Sequence, residues 1–551
     1  MDTIKQIIQK RKVIIFVMMI TVFVIMLPNF QENLVIGDDY EFHLSRIKTI
    51  SESLKNGEFP VKIHPLMAKN FGYAAGVFYP NMFLYIPATL CMLGMDIVLS
   101  FKMFLLTMFS LMFVLTYVSI KNITEETNSA LIGTVLIILS KVICTNLYLR
   151  LAVGEFLGMI FLIPIISGMY DLIYKGFKKP WLLFIGFFGV MNSHIITTFI
   201  AIIFCAFYYL INFRKVSIKN VGKLLLIALL VVLATSSFWA PMLEQLSVQK
   251  YKLSNEWVHI ESEVYTLYDL FSREKFSIGI VITLFMPVLL YALFDSRITV
   301  KTKKFIIMFF IITALTVSSW FWEITKDYLG VIQFKWRVLG LLTILSSIAI
   351  TLAVKEYSQI KEIKLDNVLM FVLAISIFAT IQFNISDFKA ATRIRSAEDL
   401  EAIYYAEHAV GIGQEYLPVE IDYNKLLINE EGRLSNGRGV GVIKRNLHTE
   451  FQSEKDYEYV VIPSIYYYGY VGNLVNSEGE IINLDIEKSE DGLVKVITNG
   501  YEGKVSVWYN GTKVQKISYI ISAMTIVLLV VYIIVKKIRN KSKVEKYPYR
   551  Y

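Results

Sequence analysis

The sequence is 551 residues long, 55% hydrophobic and only 18% charged, with a mean hydropathy of +0.53. A soluble chain of this size carries roughly 25% charged residues and cannot hide so much apolar side chain in ordinary domain cores, so a purely water-soluble protein is excluded. The formal net charge of +9 sits in basic clusters beside apolar blocks, which suits membrane orientation and no nucleic-acid partner.

The first apolar run, Val13 to Leu27, follows Lys5, Lys10, Arg11 and Lys12, and no small-residue cleavage site follows Pro28. This predicts an uncleaved helix with a cytoplasmic N-terminus and places the chain outside from Asn29 onward. Further apolar segments run at about 100–118, 129–147, 155–174, 223–243, 277–294, 304–322, 337–354, 366–384 and 517–535. The block 181–213 is broken at Met191-Asn192-Ser193-His194 and has basic flanks on both sides (Lys175, Lys178 and Lys179; Arg214, Lys215 and Lys219). It therefore reads as a short helical hairpin with its turn near the outer face. The basic stretches Arg297 to Lys304, Lys355 to Lys364 and Lys536 to Lys546 then all fall inside. The block 80–95 cannot be a simple crossing if Arg150 and Glu155 are outside, and it is expected to re-enter or to lie along the interface. Cys91, Cys144 and Cys205 lie in apolar segments and offer neither a disulfide framework nor metal-ligand spacing.

These readings define a transmembrane domain over 1–384 with a first outer loop at 29–79, then a polar stretch at 385–516, then a last helix and basic cytoplasmic tail over 517–551. The polar stretch opens with a helical-looking charged segment, Arg393 to His408. It continues in short β-like runs, such as Tyr457 to Ile462 and Lys504 to Tyr509. The expected fold class is a polytopic α-helical membrane protein of about 12–13 membrane segments, with a small extracytoplasmic β-rich domain before the last helix.

Candidate chemistry begins in the first outer loop, Gly37-Asp38-Asp39-Tyr40-Glu41-Phe42-His43-Leu44-Ser45-Arg46, which continues in a helical pattern to Lys55 and stops at Asn56-Gly57. Leu44, Ile47, Ile50 and Leu54 recur at helical spacing, predicting an amphipathic helix on the outer membrane surface. Starting at Asp39, this helix would put Asp39, His43 and Arg46 on one face. The competing structural reading makes Asp38 or Asp39 a helix cap and Arg46 a solvated charge. Arg150 and Glu155 bracket the next outer turn, where charges beside apolar helices face a cavity, a ligand or each other. His194 marks the hairpin turn, Glu244 an outer helix end, and Gln333-Phe334-Lys335-Trp336-Arg337 another. Lys335 and Trp336 read there as interface anchors. All these groups are predicted on one side, where a lipid-borne anionic substrate would meet arginine.

In these motifs the chain resembles bacterial GT-C-type membrane glycosyltransferases, specifically the pyruvoyl-tetrahydropterin-synthase-related membrane proteins. The resemblance runs through Gly37-x-Asp39-x-x-Phe42-His43-Leu44-x-Arg46-Ile47, Asn56-Gly57-x-Phe59-Pro60-Val61, Gly72-Tyr73 and Phe78-Tyr79-Pro80. It continues through Arg150-x-Ala152-x-Gly154-Glu155, Ser193-His194, Gln333-Phe334-x-Trp336-Arg337 and Pro463-x-x-Tyr466-Tyr467-x-Gly469-Tyr470. Lys335 stands where the group carries proline. The resemblance implies transfer of a sugar from a polyprenyl-phosphate donor to a cell-surface acceptor, usually with inversion. The acceptor would be a glycolipid, a teichoic-acid-like polymer or a protein. It makes Asp39 the general base, with Asp38 its neighbour or, if a divalent metal takes part, a metal ligand. Arg46, Arg150 and Arg337 become phosphate candidates, with His43, Glu155, His194 and Gln333 in the substrate site. The chemistry agrees, since an attacking hydroxyl needs a base and a leaving phosphate needs positive charge. Two rivals stay open at this point: a lipid or polysaccharide transporter, which would carry ionisable groups near the bilayer midplane, and a non-catalytic scaffold of the same fold.

Overall fold

The computed structural model describes residues 2–254, 259–272, 275–384, 394–428 and 431–546. Among these, six helices are long and apolar enough to cross a membrane: Gln9–Asn29, Ile97–Thr124, Val153–Tyr174, Lys335–Ile360, Leu365–Gln382 and Lys513–Arg539. Three more pairs qualify only jointly, because each is bent: Thr127–Ile138 with Lys141–Leu149 by 41°, Ile218–Ala234 with Ser236–Val248 by 68°, and Val300–Val317 with Ser319–Ile332 by 86°. The protein is thus mostly helical, with six to nine spans and a β-rich domain before its last helix. The other apolar blocks behind the expected 12–13 segments form shorter helices, Met82–Met92, Trp181–Met191, Ile195–Leu210 and Ile280–Phe294, and some of the nine are bent. Segments 223–243 and 304–322, read as single helices, break after Ala234 and Val317. Helix Trp181–Met191 has 11 residues, a length of about 16 Å against a hydrocarbon core of about 30 Å.

The chain divides into two compact units. The larger comprises Met1–Val61, Asn81–Asn220 and Asn255–Gly413. Within it, Trp181–Met191 runs antiparallel to Val153–Tyr174: Leu183 sits on Gly168, Gly186 on Ile165 and Gly189 on Phe161. A Cβ on Gly189 would fall 2.1 Å from the Phe161 ring, so only glycine allows this approach. The chain turns at Asn192–His194, and helix Ile195–Leu210 returns. Tyr208 then packs beside Phe305, and Asn212 accepts from the Tyr174 hydroxyl at 3.3 Å. This is a helical hairpin with its turn at the Glu155 end.

Charge segregates along this unit. At one end Lys175 pairs with Glu125 at 2.6 Å, Lys355 donates to Thr124 O at 2.7 Å and Lys304 to Asn212 Oδ1 at 2.5 Å. The opposite end holds Asn29, Arg150, Glu155, His194 and Arg337. The block 80–95 stays at that second end. Its helix Tyr85–Met92 has 8 residues, too short to cross, and Lys102 at the start of the next span donates to Gln31 O and Glu32 O beside the end of the first helix.

Two expectations change. Helix Tyr40–Lys55 ends where Asn56-Gly57 predicts, but its apolar face is covered by protein and not left open to lipid. Leu44, Ile47 and Ile50 are buried, and so are Ser45, Arg46 and Thr49 on its other faces. Two of its enclosed hydroxyls are paired, Ser45 Oγ with Ile403 O at 3.0 Å and Thr49 Oγ1 with Ser45 O at 2.8 Å, which lowers the cost of burying them. The charged segment expected as helix from Arg393 begins outside the described residues. From residue 394 it forms strand Ile394–Arg395, antiparallel to Leu34–Val35, then turns and one 3-10 turn at Ile403–Tyr405. Ser396 and Asp399 exchange side-chain-to-backbone hydrogen bonds at 2.9 and 3.2 Å, a local pairing that competes with helix.

The smaller unit comprises Lys62–Pro80, Val221–Ser254 and Gln414–Tyr551. It holds two five-stranded sheets, antiparallel throughout. One orders its strands Ile486–Lys488, Leu493–Ile497, Tyr459–Ile465, Gly432–Leu434 and Gly439–Val440. The other orders them Ile443–Arg445, His448–Ser453, Gly503–Tyr509, Tyr470–Val475 and Ile481–Leu484. The bent helix pair packs on the last helix through Ser236, whose hydroxyl is 3.0 Å from Ser522 Oγ.

Candidate active site

The site rests on a backbone-to-backbone contact. Gly37 lies so close to the 149–151 turn that a Cβ would stand 2.4 Å from the Arg150 carbonyl carbon and from Leu151 N. Asp38 N–H donates to Leu149 O at 3.1 Å and Asp39 N–H to Arg150 O at 2.7 Å. Asp39 occupies the cap position of helix Tyr40–Lys55, yet its carboxylate makes no capping hydrogen bond. It stands 3.8 Å from Arg150 Nη2 with 39% of its side chain accessible, so it is open to a reactant. Burial is the largest influence on its pKa and raises it. Arg150 opposes this, Glu155 and Asp38 add to it, and Arg337 pulls weakly back. The balance leaves a carboxylate more basic than usual.

Glu155, the third residue of its helix, is the hub for both arginines. Arg150 grips it with both terminal nitrogens, Nη1 at 2.7 Å and Nη2 at 3.2 Å, and Arg337 donates from Nε at 3.0 Å. The ion pair that Arg150 and Glu155 could form does form, and a third partner joins it. Arg150 also donates to Asn146 Oδ1 at 3.1 Å and stacks 4.0 Å from the Trp336 ring centre. Arg337 donates to Ile332 O at 3.0 Å and Gln333 Oε1 at 2.5 Å. Gln333 itself has φ 66° and ψ −44°, and Phe334 N–H bonds back to Ile332 O at 2.8 Å, a strained γ-turn.

Other expected members are placed differently. Arg46 is buried, donates to Asn81 Oδ1 at 2.7 Å and lies 5.1 Å from the Phe42 ring centre. It is not a solvated charge. His43 is buried; burial first, then the positive charge of Arg46, with smaller effects from His194 and Arg150, push its pKa well down and keep it neutral. His194 caps its own helix, its Nδ1 accepting from Thr197 N at 3.2 Å, at the same end as Glu155. Lys335 and Trp336 are not interface anchors. Lys335 is buried, and Glu263 holds it through the backbone N–H at 2.5 Å and through its ammonium. Trp336 stacks on Phe276 at 4.5 Å. Lys275, which the sequence reading passed over, reaches Asp38 at 3.2 Å.

A divalent ion would have Asp38 and Asp39 to use. Among the described residues no group of three or more His, Cys, Asp or Glu converges, and the Lys275 ammonium already sits on Asp38. The residues fit a metal poorly, so no step is routed through one.

Glu155, His194, Lys275, Trp336 and Arg337 line a narrow cleft of about 20 Å3, whose remaining wall includes Met159, Leu162, Ile196, Ile200, Leu339 and Leu341. Cations at its head and apolar side chains along its wall give the cleft an amphiphilic lining.

Neither a protein-family model nor a curated protein sequence matches the chain. Among solved structures, it is similar to the cryo-EM structure of arabinofuranosyltransferase AftD from mycobacteria, at 12% identity and a TM-score of 0.45. That match covers 68% of this chain and 27% of the AftD chain.

Proposed function

We propose that this protein is a membrane glycosyltransferase that moves a sugar from a polyprenyl-phosphate donor to a cell-surface acceptor, with Asp39 as general base. The observation that carries this reading is the accessible, basic Asp39 carboxylate 3.8 Å from Arg150, beside arginines fixed by Glu155 at the head of an amphiphilic cleft. The acceptor O–H gives its proton to Asp39, and its oxygen bonds to the sugar's anomeric carbon. The bond from that carbon to the phosphate oxygen breaks, with inversion, and the electron pair leaves on the phosphate. Lys275 and the outer edges of Arg150 and Arg337 stabilise the charge that grows there. The positive-inside rule supports a cytoplasmic location for the basic loops and both termini, and with it an outer location for the site and for the β-rich domain. A transporter would carry its charges midway along broken helices, whereas Glu155, His194 and Arg337 sit at helix starts. The test is a reconstituted transfer assay with a polyprenyl-phosphate sugar. Asp39→Asn removes the base and lowers kcat by about 10²–10⁴-fold, and an unchanged kcat refutes the assignment.

A further inference from the structure

A second groove, separate from the cationic cleft, lies between helices Asp2–Met26 and Ile97–Thr124 and has a volume of about 570 Å3. Its walls include Ile15, Met19, Phe23, Met103 and Leu106, with Asn29 and Lys102 at its head. Along the two helices it runs from Ile15 to Asn29 and from Leu99 to Ser110, about 21 and 16 Å at 1.5 Å per residue. One leaflet of a hydrocarbon core is about 15 Å deep, so the groove accommodates a single lipid tail from one leaflet. Four methionines (Met18, Met19, Met26 and Met103) line it, and their flexible thioethers adapt to a chain of variable shape.

The head of the groove is polar and fixed. Lys102 Nζ donates to Gln31 O at 2.6 Å and Glu32 O at 2.8 Å, which uses two of its three N–H groups in the described contacts. Asp96 and Glu32 lie near it and balance part of its charge, which favours a head of low net charge. Asn29 donates to the Tyr148 hydroxyl at 2.9 Å, and that hydroxyl donates to Ile25 O at 2.6 Å. Tyr148 is two residues from Arg150, so the groove ends against the turn that faces Asp39. The cationic cleft reaches the same centre from between helices Val153–Tyr174, Ile195–Leu210 and Leu339–Ile360.

We infer that this groove holds the tail of a lipid-linked acceptor, its head lying against the turn that faces Asp39, while the donor phosphate meets the arginines held by Glu155. The inference rests on the glycosyltransferase reading above and narrows its acceptor to a lipid. The test uses the full chain in phosphatidylcholine nanodiscs that contain a phosphatidylglycerol with a diazirine in its acyl chain. After photolysis, adducts concentrate on Met18, Met19 and Met103 relative to the exposed Met524 and Leu528 of the last helix. The double change Met19→Trp and Leu106→Trp removes that excess. In the transfer assay with a membrane-lipid extract as acceptor, the same double change raises the acceptor KM about tenfold, equivalent to losing burial of roughly two methylene groups. Leu528→Trp leaves it unchanged. Even labelling of all lipid-facing helices (bulk lipid only), a cross-link to a second copy of the chain, or a rise in donor KM in place of acceptor KM overturns the inference. Asp39→Asn separates the two claims. If it leaves transfer intact, the catalytic reading fails while the labelling pattern still decides whether the groove binds the lipid.

Discussion

Replacing Gly37 with alanine places a methyl carbon 2.4 Å from the Arg150 carbonyl carbon, 2.4 Å from Leu151 N and 2.7 Å from Leu149 O. All three are backbone atoms, so no side-chain rotation relieves the clash. Favourable carbon contacts lie at about 3.5–4.0 Å, and the two chain segments must separate by about 1 Å. That separation stretches the Asp38 and Asp39 amide hydrogen bonds to Leu149 O and Arg150 O, each worth about 0.5–1.5 kcal/mol. It also carries the Asp39 carboxylate away from Arg150. Misplacing a reacting group by about 1 Å costs on the order of 10²-fold in rate. Gly37→Ala therefore lowers kcat about 100-fold while the protein still inserts and folds, as read by the transfer assay and by thermal unfolding in detergent. Gly222→Ala is the control, because nothing lies within 4 Å of a Cβ there. A Gly37→Ala protein with the parent kcat would refute the claim that this contact positions the base.

Glu155→Ala leaves Arg150 and Arg337 facing each other in a buried network without their shared carboxylate, costing about 3–5 kcal/mol; thermal or denaturant unfolding reads the loss, and parent stability contradicts the hub role. The pH dependence follows Asp39, whose pKa burial raises. Transfer rises with pH on a limb above the ordinary aspartate range, because the base works ionised. For stability the sign is opposite: the Asp39 contribution is full below its unfolded pKa and fades as pH rises through the folded value. Arg150→Gln removes the main opposing charge and moves the rate limb to higher pH, and a shift to lower pH in the kcat/KM profile contradicts the assignment. Since Lys275 already neutralises Asp38 at 3.2 Å, transfer persists after EDTA treatment, and a loss restored by added divalent ion overturns that role for Lys275.

The charged members of this site stood out in sequence because a charge beside an apolar helix is expensive and needs a reason. Asp39, Arg150, Glu155 and Arg337 belong to that class, and the fold brings them to one place. Arg46 shows where helical arithmetic stops. Positions 39 and 46 share a face, but seven residues also separate them by about 10 Å along the axis. Arg46 therefore meets Asn81, not Arg150. Lys275 was hidden for the opposite reason. It follows Arg273 and Glu274, and a run of mixed charge reads as a solvated loop. Trp336 was misread because an aromatic flanked by lysine and arginine at a helix end has the composition of an interface anchor. Its stacking on Phe276 and Arg150 depends on a loop 60 residues away in sequence, which no local pattern encodes. The bent helices were illegible likewise, since hydropathy measures apolar length and not direction.

What sequence could not supply at all was backbone strain, and some of it lies beside the same charges. Thr145–Leu149 is a π-helical turn, Leu151 has φ 52°, and Gln333 sits at φ 66° and ψ −44°. Residues held in such regions cost on the order of 1–3 kcal/mol each and persist where their surroundings over-determine them. Here the surroundings are identifiable. The 149–151 turn is held by the amides of Asp38 and Asp39, and the Gln333 turn is clamped by Arg337 through Ile332 O and Gln333 Oε1. Each strained turn thus ends in a contact that fixes either Asp39 or Arg337. Other positive-φ residues, such as Ala68, Lys69 and Asn70, lie elsewhere, so it is these contacts, and not strain as such, that tie the two turns to the site.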